Sequence, residues 1–164
     1  MTDVPVGDHA AVAEGFPAFY LATYEVAAGY AFQLTRDAEV AKDVAQEAFT
    51  RLLTRWVGVR EPRAYLFHVI TNIVRDTWKA RARRERLIEV LGREATTTVP
   101  PPDRDLADAV ARLPRRHAEV VLLFYYSDLP LAGVAAAVGR PEGTVKRLLA
   151  EARVRLAVAL EDTL

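Results

Sequence analysis

Asp43 and Glu47 stand four residues apart in DAEVAKDVAQEAFTRLLTRW, a spacing that puts two carboxylates on one side of a helix. Such a pair could hold a divalent cation, but a cation site needs further oxygen or nitrogen ligands, and no third ligand or histidine lies nearby. His9, His68 and His117 are scattered without ligand spacing, and there is no cysteine to serve as thiolate ligand, nucleophile or disulfide partner. The sequence therefore predicts no metal, no cofactor and no catalytic residue. What remains is the chemistry of binding. Asp43, Gln46, Glu47 and Arg51 share one polar side beside an apolar stripe, a mixed face suited to another helix. Further along, Arg60, Arg63, Arg75, Lys79, Arg81, Arg83, Arg84 and Arg86 form a cationic track able to follow phosphates. Tyr65, Phe67 and Trp78 lie among them as rings on which unstacked bases could rest, core packing being the other use of Phe67 and Trp78.

Charge is sorted to match. The 164 residues carry 22 basic and 22 acidic side chains, a net charge of zero. Residues 1–57 hold four basic against eight acidic groups, a balance of −4, and residues 58–93 hold nine against four, a balance of +5. The remainder is nearly neutral. A local basic stripe governs phosphate attraction more than the global sum does. Half the chain is apolar (51%), enough for a real core, yet no run approaches the roughly 18–20 apolar residues of a membrane span. The first residues, MTDVPVGDHAAVAEG, lack the basic start and apolar stretch of a secretion signal, so a cytoplasmic location is expected.

The elements that must position these groups read as helices, because the apolar pattern repeats at helical spacing nearly throughout. One helix is expected from about Phe16 to Leu34, with Phe19, Tyr20, Thr23, Tyr24, Ala27, Tyr30 and Ala31 inward. A second begins near Asp37, with Val40, Val44, Ala48, Leu52 and Trp56 at i+4 intervals, widened by Phe49 and Leu53. Gly58 and Pro62 bracket a short loop. Pro62 then opens a third helix, with Leu66, Val69, Ile70, Ile73 and Val74 inward, which runs into WKARARRER. GREATTTVPPPDRD cannot continue it, since three consecutive prolines forbid a helix. Helices at about 105–113, 115–126, 130–138 and 142–161 follow, with Pro114, Pro130 and Pro141 marking three of their starts. The predicted fold is all-α: two small helical domains, 1–91 and 105–164, joined by a Pro-rich linker at 92–104.

Residues 131–150, LAGVAAAVGRPEGTVKRLLA, have the make-up of a helix-turn-helix. Ala135 is the small residue at the helix crossing, Gly139 the turn glycine, and Val134, Val138, Val145 and Leu148 the packing set. The second helix would present Thr144, Lys146, Arg147, Glu151 and Arg153 outward, with Arg140 beside it in the turn.

LPRRHAEVVLLFYYSDLPLAGVAAAVGRPEGTVKRLLAEARVRL resembles the promoter-reading region 4 of ECF-type (extracytoplasmic function) sigma factors, most of all at Leu113-Pro114, Phe124-Tyr125-Tyr126, Gly139 and Gly143-Thr144-Val145-Lys146. DAEVAKDVAQEAFTRLLTRW resembles the region 2 helix by which that family grips the clamp of RNA polymerase. PRAYLFHVITNIVRDTWKARARRER resembles the segment that melts and reads the minus-ten element, with the loop at about Val57–Glu61 matching a base-capturing loop. The likeness spans about residues 16–160 and implies a set of roles. Asp43, Gln46, Glu47 and Arg51 would bind core polymerase. Arg60, Arg63, Tyr65, Asn72, Arg75, Asp76, Lys79, Arg81 and Arg83 would bind the minus-ten DNA, with Asn72 and Asp76 on the bases of the non-template strand. Arg140, Thr144, Lys146, Arg147 and Arg153 would bind the minus-thirty-five element. The partners implied are core RNA polymerase and promoter DNA, and a flexible linker would admit a dedicated anti-sigma factor between the domains. The chain departs from the family at Arg147, Leu148 and Glu151, where serine, arginine and arginine are common, at Gly133 for a common glutamate, and at His68 for a usual arginine. Two other readings compete. A stand-alone helix-turn-helix regulator would bind duplex DNA without polymerase, and a sigma-like interaction module would have lost its DNA contacts.

Overall fold

The computed structural model describes residues 14–90 and 105–162. In chain order the elements are α1 (Phe16–Thr35), α2 (Ala38–Arg55), a 3-10 turn (Trp56–Gly58), α3 (Pro62–Val90), α4 (Asp105–Arg112), α5 (Arg115–Val121) running into a π-helical turn (Leu122–Tyr126), α6 (Leu131–Val138) and α7 (Glu142–Glu161). No strand occurs among the described residues. The linker expected at 92–104 lies outside them.

Local chemistry sets the helix ends. Arg36 takes a left-handed conformation (φ 56°) that ends α1, its N–H bonding Phe32 O at 2.7 Å. Asp37 restarts the chain at once, its carboxylate accepting from the N–H groups of Glu39 and Val40, both at 3.1 Å. Pro114, Pro130 and Pro141 each stand just before a helix, where a residue with no N–H sacrifices no hydrogen bond. Gly139 closes α6 in the left-handed region (φ 69°, ψ 37°), the conformation the turn between α6 and α7 requires.

In the first half, α1, α2 and α3 pack on one another around Ala27, Tyr30, Val44, Ala48, Leu52, Leu66, Phe67, Ile70 and Val74, all buried. Each large side chain there contributes on the order of 1.5–3 kcal/mol. Phe67 is core, with its ring edge-on to Tyr30 at 5.5 Å, and so is unavailable to a base. Burial also raises the Tyr30 phenol far above its ordinary range, so it stays neutral. Thr71 donates to Phe67 O at 2.7 Å, which leaves its oxygen to accept from the Tyr30 hydroxyl at 2.8 Å. Phe16, Phe19, Tyr20, Phe49 and Trp56 close the far end, and the Trp56 indole N–H donates to Glu14 O. Leu53, expected inward, is 42% exposed. It follows Leu52 by one residue, about 100° around the helix, and α1 and α3 already cover the side that Leu52 occupies.

In the second half, Val134, Ala135, Val138, Val145 and Leu148 are buried as the helix-turn-helix reading required, together with Val120, Leu123, Leu149 and Ala152. The helix expected over 115–126 loosens in its last turn, where the Ser127 N–H reaches back five residues to Leu122 O at 2.8 Å. The wider turn keeps Leu122 and Leu123 inward and turns Tyr125 and Tyr126 out.

The two halves meet. α3 lies along α6, and α1 touches α4 and the π turn, so one apolar core runs through both. Gly29 permits a close approach, since a Cβ there would fall 2.0 Å from the Tyr126 hydroxyl.

Candidate nucleic-acid interface

On α2, Asp43, Gln46, Glu47 and Arg51 are all exposed, on the side opposite the buried Val44, Ala48 and Leu52. Arg51 pairs with Glu47 one turn away, and among the described residues the Asp43 and Gln46 side chains have no such partner. Among the described residues no group of three acidic, histidine or cysteine side chains could hold a metal ion.

α3 and the loop before it carry the cationic track, and the structure divides it in two. Arg60, Asp76, Lys79, Arg81 and Arg83 are exposed. Tyr65 is half-buried against the core. Of the rest, Arg63 and Arg75 bond groups of the second half, and Asn72 bonds His68. Arg63 lies over the Phe67 ring at 5.6 Å and donates to Ser127 O. His68 Nδ1 meets Ala137 O at 3.0 Å, so it carries the proton, and Nε2 accepts from the Asn72 amide at 3.0 Å. Arg75 grips Glu119 with two parallel bonds, Nε to Oε1 at 2.9 Å and Nη2 to Oε2 at 2.7 Å, and also reaches Val138 O at 3.2 Å. That carboxylate raises the Arg75 guanidinium above its ordinary range despite partial burial. Glu119 itself is 3% exposed. Beside this set, Arg115 stacks on Trp78 at 4.3 Å and Arg36 pairs with Asp108 at 3.0 Å.

Sequence reasoning missed His68, Glu119 and Ser127 as members of this cluster. Glu119 did leave a signal. It is the only carboxylate in HAEVVLLFYYS, an otherwise largely apolar run, and a carboxylate buried with such a run demands a cation. Which cation, the pattern could not say.

The helix-turn-helix presents a more open face. Arg140 and Lys146 are exposed and Thr144 half-exposed at the start of α7. Arg147 is tied to Glu151 at 3.0 Å, and Glu151 accepts in turn from His117 Nε2 at 2.7 Å. The His117 bond, followed by that of Arg147, holds the Glu151 carboxyl below its usual range. Arg153 donates to the Tyr125 hydroxyl at 2.7 Å with its guanidinium over that ring, so it braces α7 against the π turn. The free cations of this face are thus fewer than the expected five positions suggest.

Two known families match in the same order along the chain, described as Sigma-70 region 2 over residues 19–84 and Sigma-70, region 4 over residues 103–156. Among curated proteins, the RNA polymerase sigma-E factor of Streptomyces antibioticus is 35% identical over 134 residues, covering 78% of this chain and 74% of that one. The ECF RNA polymerase sigma factor SigL of Mycobacterium tuberculosis is 33% identical over 148 residues, 81% of each chain. Among solved structures, RpoE from Bartonella quintana, in complex with the anti-sigma factor NepR, superposes with a TM-score of 0.72 at 21% identity, over 89% of this chain and 96% of that one. CnrH, in complex with the cytosolic domain of CnrY, gives 0.64 at 22% over 94% and 95%. At those identities the structural likeness speaks for the fold.

Proposed function

The chain belongs to the sigma-70 family of transcription initiation factors, in its ECF branch, and on that footing we propose a division of labour among its surfaces. The protein binds core RNA polymerase and directs it to promoters. The observation that carries this is the succession of region 2 and region 4 along one chain, each with most of its expected apolar set buried. Members of the family act by binding, and polymerase supplies the chemistry. We assign the exposed α2 face, Asp43, Gln46, Glu47 and Arg51, to the polymerase clamp. Residues 1–91 form the unit that holds polymerase and the minus-ten strand, and residues 105–164 the unit that holds the minus-thirty-five duplex, with 92–104 between them. On α3, Asn72 and Asp76 read bases, while Arg63, Arg75, Lys79, Arg81 and Arg83, with Arg60 in the loop before the helix, hold phosphates and Tyr65 supplies a ring edge. In the second unit, Arg140, Thr144 and Lys146 face the duplex, with Arg147 and Arg153 joining once released from Glu151 and Tyr125. Action on polymerase places the protein in the cytoplasm, and no helix among the described residues is long and apolar enough to cross a membrane. An anti-sigma factor, the kind of protein that accompanies the Bartonella RpoE, is a further partner for this chain.

Asp43→Arg with Glu47→Arg tests the assignment, because the inverted charges meet a surface complementary to the original ones. The double variant should stay helical by circular dichroism, lose co-elution with core polymerase, and give no run-off transcript from a promoter library. Normal co-elution would move the clamp surface elsewhere.

A further inference from the structure

A carboxylate sits among the groups that α7 turns toward the upstream duplex. Thr144 and Glu151 are seven residues apart, within about 20° of two full helical turns, and Arg147 lies between them on the same side. The buried Val145, Leu148, Leu149 and Ala152 point away from this stripe. On a face that meets phosphates a negative charge weakens binding to every sequence alike, unless it finds a donor there.

The two oxygens of Glu151 have unlike partners. Oε2 accepts from Nε2 of His117 on α5 at 2.7 Å, and Oε1 accepts from Nη1 of Arg147 at 3.0 Å. The His117 side chain is 6% exposed, and its Nδ1 is buried with no hydrogen-bond partner among the described residues. Loss of Glu151 would orphan the second ring nitrogen as well, which makes that bond costly to give up. The Arg147 side chain is 60% exposed, and an i,i+4 pair in water is weak enough to yield to a phosphate. One oxygen is therefore anchored and the other releasable. His117 and Arg147 hold the carboxyl below its usual range, so the released oxygen carries no proton and can only accept. Donors are scarce in the major groove: cytosine offers N4 and adenine N6, whereas guanine and thymine show acceptors. Adenine also sets N7, an acceptor, beside its amine and so repels an approaching carboxylate, which cytosine does not.

We infer that Glu151 is a base-reading residue of α7, its Oε1 accepting from the exocyclic amine of a cytosine in the minus-thirty-five duplex, and that His117 is the positioning residue that aims it. Arg147 leaves Oε1 for a phosphate as the helix enters the groove. The inference rests on the assignment of α7 to that duplex. It gives the departure at residue 151 a chemical meaning. The arginine common there in the family carries donors only and suits the acceptors of guanine, and glutamate reverses that demand.

Selection from a promoter library tests this. Full-length protein with core polymerase is offered duplex fragments randomised over the minus-thirty-five and minus-ten elements, and the bound fragments are sequenced. The unmodified chain should enrich an upstream motif with cytosine favoured about five- to tenfold at one position. Glu151→Ala should lose that preference and leave the other upstream positions unchanged. Glu151→Gln should move it toward adenine, because an amide meets N6 and N7 together. His117→Phe should lower the cytosine preference several-fold with an unchanged salt slope, and His117→Gln, which keeps a donor, should retain it. Circular dichroism checks the fold of each variant. A charge that merely repels DNA would shift all sequences alike. Identical motifs from the unmodified chain and Glu151→Ala therefore overturn the inference and leave the proposed function standing. A chain that enriches no upstream motif with core polymerase loses the proposed function and this inference together.

Discussion

The two faces assigned to DNA are built from the same side chains and treated in opposite ways by the fold. Arg140, in the turn before α7, and Lys146, near its start, stand in solvent, and the neighbouring Arg147 and Arg153 are engaged within their own half. On α3, Arg63, Asn72 and Arg75 are engaged through the other half, directly or by way of His68. The cations proposed for the duplex thus stand largely in solvent, and the groups proposed for the strand are held by neighbours from the rest of the molecule.

The comparison breaks most visibly in stability. Arg75→Ala leaves Glu119 buried without its cation, a loss of about 3 kcal/mol at the lower end of what an orphaned buried charge costs, because water already reaches the edge of the pair. Lys146→Ala, on the open face, should stay within about 0.5 kcal/mol of the parent. Urea unfolding of the two variants side by side measures the contrast, and equal midpoints would mean that the Arg75–Glu119 pair is idle.

In promoter opening the difference should be one of kind. Asn72→Ala removes a group able to hydrogen-bond a base edge, so it should cost about 1–3 kcal/mol and relax preference at one minus-ten position. Arg81→Ala and Arg83→Ala should weaken binding to all sequences alike and lower the salt slope by about one each. Permanganate footprinting beside salt titrations distinguishes these. An Asn72→Ala protein that opens promoters with unchanged base preference would leave Asn72 as the partner of His68 and nothing more.

Lys146→Ala sharpens the other side. It should weaken upstream duplex binding by roughly one phosphate contact and spare opening on a pre-melted template. A defect on the pre-melted template would place Lys146 outside the duplex-reading face.

The smallest effect concerns pH. The Glu151 carboxyl is held below the usual carboxylate range, first by His117 and then by Arg147. A group whose folded pKa lies below its unfolded one adds stability above the unfolded pKa, and that addition is lost as pH falls through the folded value. Unfolding midpoints taken downward from about pH 6 should therefore drop below the carboxylate range, and Glu151→Gln should flatten that part of the profile. A parallel decline in both proteins would assign it to other carboxylates.

Helix boundaries were legible in the chain because their causes are local. Asp37 caps α2 through its own neighbours, Gly139 ends α6 by its own φ, and the prolines before α5, α6 and α7 act within a turn of themselves. The helix-turn-helix was legible for the same reason, its buried set lying within one stretch of sequence. Leu53 was misjudged because an i+4 stripe says how wide an apolar face is, and only the packed neighbours say where cover ends. The π turn escaped notice since LLFYY suits either helix, and the tertiary demand that turns both tyrosines outward selects the wider one.

By itself, then, the sequence determined seven helices, their apolar faces, the turn glycine, and which groups have the chemistry to meet phosphates and bases. Tertiary structure alone decided which of those groups are free. Arg75 and Lys146 are both cations on helices with basic neighbours, and no periodicity separates them. What separates them is a carboxylate 44 residues away, carried by α5 to within 2.7 Å of one and not the other. Ion pairing at that distance depends on how α3 and α6 pack, and such packing sums many weak contacts between segments remote in sequence, which no window along the chain contains.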